Sequence, residues 1–268
     1  MRRTAFAVAL AMLAMLLPAA GARAKAGCSP ADNETRVAGG TECLVIRTFR
    51  PPKPRRSPTL VVFIHGDVSS GGPVDYIYRM ASSAVADGVV TVGLVRPGFP
   101  DSQGNKSTGD DSDRSDTYTP HNVDAVAAAV RGLKAHHAAN RVVLVGHSGG
   151  AAMSAVILGR HPDLADAAVL VACPCDVFQW RVPQRLKPWL NSLSPHDWAE
   201  KVPPSARVVA ITGAADDNTH PNLARDYVET LTRRGVSARF VSVQGAGHND
   251  VVRKPEVYAA IREVTRAP

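Results

Sequence analysis

Apolar residues fall along the chain in short, dense runs at 44–49, 59–64, 89–95, 141–146, 167–172, 207–212 and 238–243. These runs are rich in Val, Ile, Leu and Ala and do not alternate with polar residues. Strands buried on both faces of a parallel sheet read this way. The segments between them carry the 3.6-residue period instead. Val123, Val126, Ala127, Val130 and His137 share one helical face, and Pro120 stands just ahead of it, where proline starts a helix. Further helices are expected at 74–87, 149–160, 221–234 and 255–265. Strand and helix in turn predict an α/β fold with a doubly wound, mostly parallel sheet and right-handed crossovers.

Three segments interrupt the alternation. Residues 51–58 form a Pro-rich basic loop. Residues 101–118 are rich in Asp, Ser and Gly and read as a solvated surface loop. Their acids superficially resemble a calcium loop, but the glycine and terminal glutamate of an EF-hand are not in place, so no metal is expected there. Residues 174–204 hold Trp180, Trp189 and Trp198 and read as a short lid with an aromatic face. No internal repeat or second domain is evident, and residues 25–268 read as one domain.

The N-terminus changes the charge balance. Arg2 and Arg3 precede a twelve-residue apolar run from Phe6 to Leu17, too short to span a bilayer, and Ala22-Arg23-Ala24 fits a signal-peptide cleavage site. Residues 1–24 are therefore expected to be removed, leaving a periplasmic or secreted protein without membrane insertion. Losing Arg2, Arg3 and Arg23 lowers the formal charge from +7 to +4. That charge is small and scattered, and aromatic residues do not interleave with a basic patch, so nucleic acid is not an expected partner. The four cysteines fit an exported chain with disulfides. Proximity favours Cys28 with Cys43. A bridge between Cys173 and Cys175 spans a single residue, so these two are left open as free thiols, as a pair, or as partners of the first two.

The candidate chemistry centres on Gly146-His147-Ser148-Gly149-Gly150. G-x-S-x-G alone is weak, but here it lies between a strand and a helix, where a sharp turn lifts the serine Oγ to the sheet edge. A serine hydroxyl needs a base, and the base an orienting acid. His161, His196 and His220 follow Ser148 at a helix end, in the lid and at a helix start. His248 lies in the glycine-rich loop after the last strand and is the favoured base. The acid candidates are Asp216 and Asp217, after the penultimate strand, with Asp176 a third option and Asp216 preferred. The oxyanion donors are expected from the amides of Gly149 and Asp67, the latter in the turn His65-Gly66-Asp67, with the Asp67 carboxylate pointing away.

Taken together, His65-Gly66, Arg96-Pro97-Gly98-Phe99, the serine turn and the final Gly-x-Gly-His resemble the α/β-hydrolase superfamily in their order, across nearly the whole of residues 25–268. The segment from Gly213 to Gly235 is most similar to catalytic domains of the prolyl oligopeptidase and dienelactone hydrolase groups. That resemblance implies Asp216 as the acid and hydrolysis of an ester, thioester or peptide bond, with no cofactor. It departs from both groups. About 35 residues between the signal and Thr59 leave no room for a propeller domain, and Ser148 stands where dienelactone hydrolases have cysteine. The expected partner is a small-molecule or peptide substrate, esters being favoured by a short lid. A binding protein on the same shell is the alternative from another class. Neither substrate identity nor oligomeric state is legible in the sequence.

Overall fold

The computed structural model describes Cys28 and residues 31–53, 55–68 and 72–266. Residues 1–24, expected to be a signal, lie outside them. Each of the seven apolar runs becomes a strand, and an eighth precedes them: β1 (Arg36–Gly39), β2 (Glu42–Phe49), β3 (Thr59–Ile64), β4 (Val89–Leu94), β5 (Arg141–His147), β6 (Ala167–Val171), β7 (Arg207–Gly213) and β8 (Ser237–Val243). The helices are α1 (Tyr76–Ser83), α2 (Pro120–His136), α3 (Gly149–Arg160), α4 (Val177–Arg181), α5 (Pro195–Trp198), α6 (Pro221–Arg233) and α7 (Pro255–Thr265). Strand order is β1-β2-β4-β3-β5-β6-β7-β8. β2 runs antiparallel to β1 and β4, and every other pair is parallel.

The unpredicted β1 pairs with β2 through a two-residue turn at Gly40-Thr41, with Gly39 opposite Glu42 and Gly40 at φ +67°. Gly39-Gly40 was the available hairpin signal. Two-sided burial holds for β3 to β7, but β8 is an edge strand with Ser237, Arg239 and Ser242 exposed. The helix expected at 74–87 is trimmed to α1. α2 begins at Pro120 behind Thr119, whose side chain accepts from the Asn122 amide, and His137 caps its C-terminus instead of continuing its apolar face.

Helices cover both faces of the sheet. α2, α3 and α6 share one core with Leu60, Val62 and Ile64, while α1 and α7 share the other with Val61 and Phe63. The alternating residues of β3 thus feed two cores, which explains why no polar residue punctuates the run. β3 lies at the switch point: the chain steps from it to β4 on one side and returns to β5 on the other. Loops leaving β3 and β5 consequently diverge at their C-terminal ends, where α/β sheets bind ligands.

Both disulfides are local, Cys28–Cys43 and Cys173–Cys175, which settles the open pairing. The 101–118 loop is less solvated than its composition suggests. Ser107, Thr117 and Tyr118 are buried, and the buried Asp101 carboxylate accepts from the Gln103 and Asn105 amides. Its polar residues satisfy one another and the backbone, so burial does not leave them unpaired. Among the described residues no helix is long and apolar enough to cross a membrane, and no His, Cys, Asp and Glu cluster is placed to hold a metal.

Candidate active site

Ser148 sits between β5 and α3 at φ 51°, ψ −119°, a conformation rare for a residue with a side chain. Two flanking glycines make the turn possible by close approach. A Cβ on Gly150 would lie 2.1 Å from the Ile64 carbonyl oxygen, and one on Gly146 would lie 2.3 Å from that of Gly150. The Ser148 amide donates to the Val171 carbonyl at 2.8 Å, tying the turn to β6.

His248 and Asp216 meet this serine although 100 and 68 residues separate them from it in the chain. His248 Nε2 stands 3.1 Å from Ser148 Oγ, and its Nδ1 is 2.9 Å from Asp216 Oδ2. Asp216 is 2% exposed and also accepts from the Asn218 amide at 3.0 Å, the Thr219 amide at 2.8 Å and the Thr219 hydroxyl at 2.9 Å. Burial alone would raise its pKa. The hydrogen bond and charge of His248, with the Thr219 donors, outweigh burial and hold it below the ordinary value. Asp217 is exposed. Asp176 caps α4, accepting from the Gln179 amide. His161 and Arg160 both bond Asp124, His196 is exposed, and His220 caps α6 through the Asn222 amide. None of these competes for the serine.

Gly149 is the first residue of α3, where an amide has no intrahelical acceptor, and no acceptor for the Asp67 amide stands among the described residues. The loop carrying Asp67 runs beside the serine: a Cβ on Gly66 would come within 2.9 Å of Ser148 Cβ. One expectation fails here. The Asp67 carboxylate does not point away but lies over Gly149, whose hypothetical Cβ would be 2.7 Å from both its oxygens. The buried Arg96 guanidinium bonds it at 2.8 Å and the Tyr118 hydroxyl donates to its second oxygen, so its charge is compensated on the spot. Burial, and then Asp67, push the Tyr118 pKa far up, keeping that hydroxyl a donor. Arg96 also bonds Thr117 at 2.6 Å, while its amide donates to His65 Nε2 at 2.9 Å.

Sequence reasoning missed a second chain of hydrogen bonds. The Gly66 amide donates to the Tyr76 hydroxyl at 2.6 Å, which stands 2.9 Å from His147 Nδ1; His147 Nε2 stands 3.2 Å from the His248 carbonyl. Because a carbonyl can only accept, Nε2 carries the proton and Nδ1 accepts from Tyr76. Burial, reinforced by the nearby His248, lowers the His147 pKa to about 4, so the ring is neutral at pH 7. The position of His147 beside the serine was its sequence signal. Tyr76, more than seventy residues away in the chain, had none.

The 174–204 segment crosses from the Asp216 loop to the 101–118 loop. Trp180 Nε1 donates to Asn218 Oδ1 at 3.3 Å, and the Leu193 amide donates to the Tyr118 carbonyl at 2.9 Å. Trp180, Trp189 and Tyr118 stack edge to face at 5.1–5.2 Å. Trp198 does not join them; it packs against Gly159 and the Arg160 guanidinium on α3.

This fold has many solved counterparts. Est1E of Butyrivibrio proteoclasticus, solved with ferulic acid bound, superposes with a TM-score of 0.65 at 15% identity, over 85% of this chain and 96% of that one. Proline iminopeptidase of Mycobacterium smegmatis gives 0.62 at 16% identity over 86% and 96%. Dipeptidyl peptidase 4 of Porphyromonas gingivalis gives 0.60 at 16%, over 83% of this chain but 33% of that larger one. At such identities the likeness establishes the α/β-hydrolase fold. No curated protein sequence matches significantly. Residues 115–265, which carry Ser148, Asp216 and His248, match the model of the prolyl oligopeptidase family. That match spans more than half of the chain, and the protein belongs to this family of serine hydrolases.

Proposed function

We propose that the protein cleaves carboxylic esters or thioesters through an acyl-enzyme on Ser148, with His248 as base and Asp216 as orienting acid. The observation that carries the reading is the continuous contact of Ser148 Oγ, His248 and Asp216 at 3.1 and 2.9 Å on a strained strand-to-helix turn. His248 Nε2 takes the hydroxyl proton as Oγ attacks the carbonyl carbon. Asp216 holds the proton on Nδ1 and stabilises the imidazolium. The Gly149 and Asp67 amides receive the oxyanion, each such donor contributing about 3 kcal/mol in comparable sites. The C–O bond of an ester, or the C–S bond of a thioester, then breaks and the departing alcohol or thiol takes the proton from Nε2. Water repeats the attack with His248 as base, releasing a carboxylic acid and regenerating the serine.

Small esters are favoured because Ser148 is only 5% exposed and the Asp67 carboxylate and Tyr118 hydroxyl roof Gly149, leaving little width for a polypeptide strand. The 174–204 segment acts as the lid. The family match favours the second reading, a serine peptidase. Comparing kcat/KM on p-nitrophenyl acetate and butyrate with that on aminoacyl p-nitroanilides separates them; faster anilide cleavage would establish the peptidase. Ser148→Ala should lower either activity by about 10⁴-fold or more. Two disulfides and the N-terminal signal pattern support export to an oxidising compartment.

A further inference from the structure

A concavity lies between α1 and the segment from Asn249 through α7. Its volume is about 680 Å³, within the range of small-molecule sites. Its lining includes Tyr76, Met80, Val252, Tyr258 and the buried His147. Neither Ser148 nor His248 lines it. Arg79, Arg253 and Arg262 surround it, and no Asp or Glu does. Among the described residues, Arg79, Arg253 and Arg262 have neither a carboxylate partner nor a side-chain hydrogen bond. Three unpaired guanidinium groups at the mouth of an apolar, aromatic-walled crevice form a receptor for an anion with a flat apolar body. The rings and Met80 would cover the body while the planar forks bind the carboxylate.

We infer that this crevice binds an amphipathic organic anion of the arene-carboxylate type, at a site separate from the serine. The occupant would abut Tyr76 and His147. Through them it would touch the hydrogen bonds that reach the Gly66 amide on one side and the His248 carbonyl on the other. Binding would therefore change turnover without blocking access to Ser148. This coupling, unlike the binding, rests on the catalytic roles proposed above.

The test uses the full chain and 2-naphthoate, with uncharged 2-naphthamide as the control, by isothermal titration calorimetry. Naphthoate should bind, and naphthamide about tenfold more weakly or worse. Arg79→Ala, Arg253→Ala and Arg262→Ala combined should weaken naphthoate by about tenfold or more while leaving fluorophosphonate labelling of Ser148 intact. All three residues are exposed, so the variant keeps its core. Naphthoate should bind Ser148→Ala as it binds the parent and should alter kcat more than KM. Equal affinity in the triple variant, equal affinity for naphthamide, or no heat at millimolar ligand would each overturn the site. Loss of binding on fluorophosphonate labelling would move the ligand to the catalytic serine and also overturn it. If Ser148 fails to label, the catalytic reading falls while the arginine comparison still decides the crevice.

Discussion

Replacing Asp216 by Asn removes one charge and almost no volume, and the surroundings define the consequence. Oδ1 accepts two backbone amides, from Asn218 and Thr219. An asparagine oxygen must stay there, because those donors cannot turn. The amide nitrogen then takes the place of Oδ2 and faces His248 Nδ1 and the Thr219 hydroxyl. Thr219 can accept from it and donate to the Ala172 carbonyl 3.1 Å away, so no buried group is stranded. His248 Nδ1 lies nearest the Oδ2 position, at 2.9 Å, and accepts from the amide nitrogen there, which places the ring proton on Nε2, and that nitrogen can no longer take the proton of Ser148 at 3.1 Å. Tautomer inversion of this kind costs about 10⁴-fold in kcat, or roughly 5 kcal/mol of barrier. The lost charge-assisted bonds should cost only about 2 kcal/mol of stability. Asp217→Asn, at the exposed neighbour, should leave activity within about threefold. Rates of p-nitrophenyl butyrate hydrolysis and of fluorophosphonate labelling, beside urea unfolding, measure all three quantities. An Asp216→Asn enzyme retaining a tenth of the parent rate, or an Asp217→Asn enzyme falling as far, would refute the assignment.

Other outcomes follow from the same packing. Gly150→Ala places a methyl 2.1 Å from one β3 backbone oxygen and 2.5 Å from the His65 carbonyl; neither can yield, so urea unfolding should show a loss of about 3 kcal/mol or failure to fold. Tyr76→Phe strips the acceptor from the Gly66 amide and the donor from His147, and should cost about 1–3 kcal/mol in unfolding free energy together with a fall in kcat. Stability should also decline in acid in two windows, read from urea midpoints between pH 8 and pH 3. His147 has its folded pKa lowered from 6.5 to about 4, so the unfolded chain takes up its proton first and up to about 3 kcal/mol is lost as pH falls from 6.5 to 4. Asp216, whose folded pKa is depressed, contributes stability above the ordinary carboxylate pKa that is lost only at lower pH, as its folded value is crossed. His65 and His137, whose pKa values burial also lowers, add to the same window, so a midpoint constant from pH 7 to pH 4.5 would contradict the neutral state of all three.

The order of apolar runs determined the α/β fold, because burial on both faces of β3 to β7 leaves a mark in the composition of each run. Ser148 and His248 were legible for a related reason: glycines must stand where the backbone turns sharply, and they flag the side chains beside them. β1 escaped because four residues of hairpin make too short a pattern. In the sequence, only the family resemblance separates Asp216 from Asp217. Adjacent residues share every local signal, and only the turn after β7 decides which faces the imidazole. Asp67 was named for its amide, but the placement of its carboxylate over Gly149 depended on Arg96 and Tyr118, which arrive from β4 and the 101–118 loop. Tyr76, the His147 bridge and the arginine-rimmed crevice belong entirely to the tertiary structure. They arise between α1, β5 and α7, and contacts between segments so far apart in the chain impose no periodicity on any one of them.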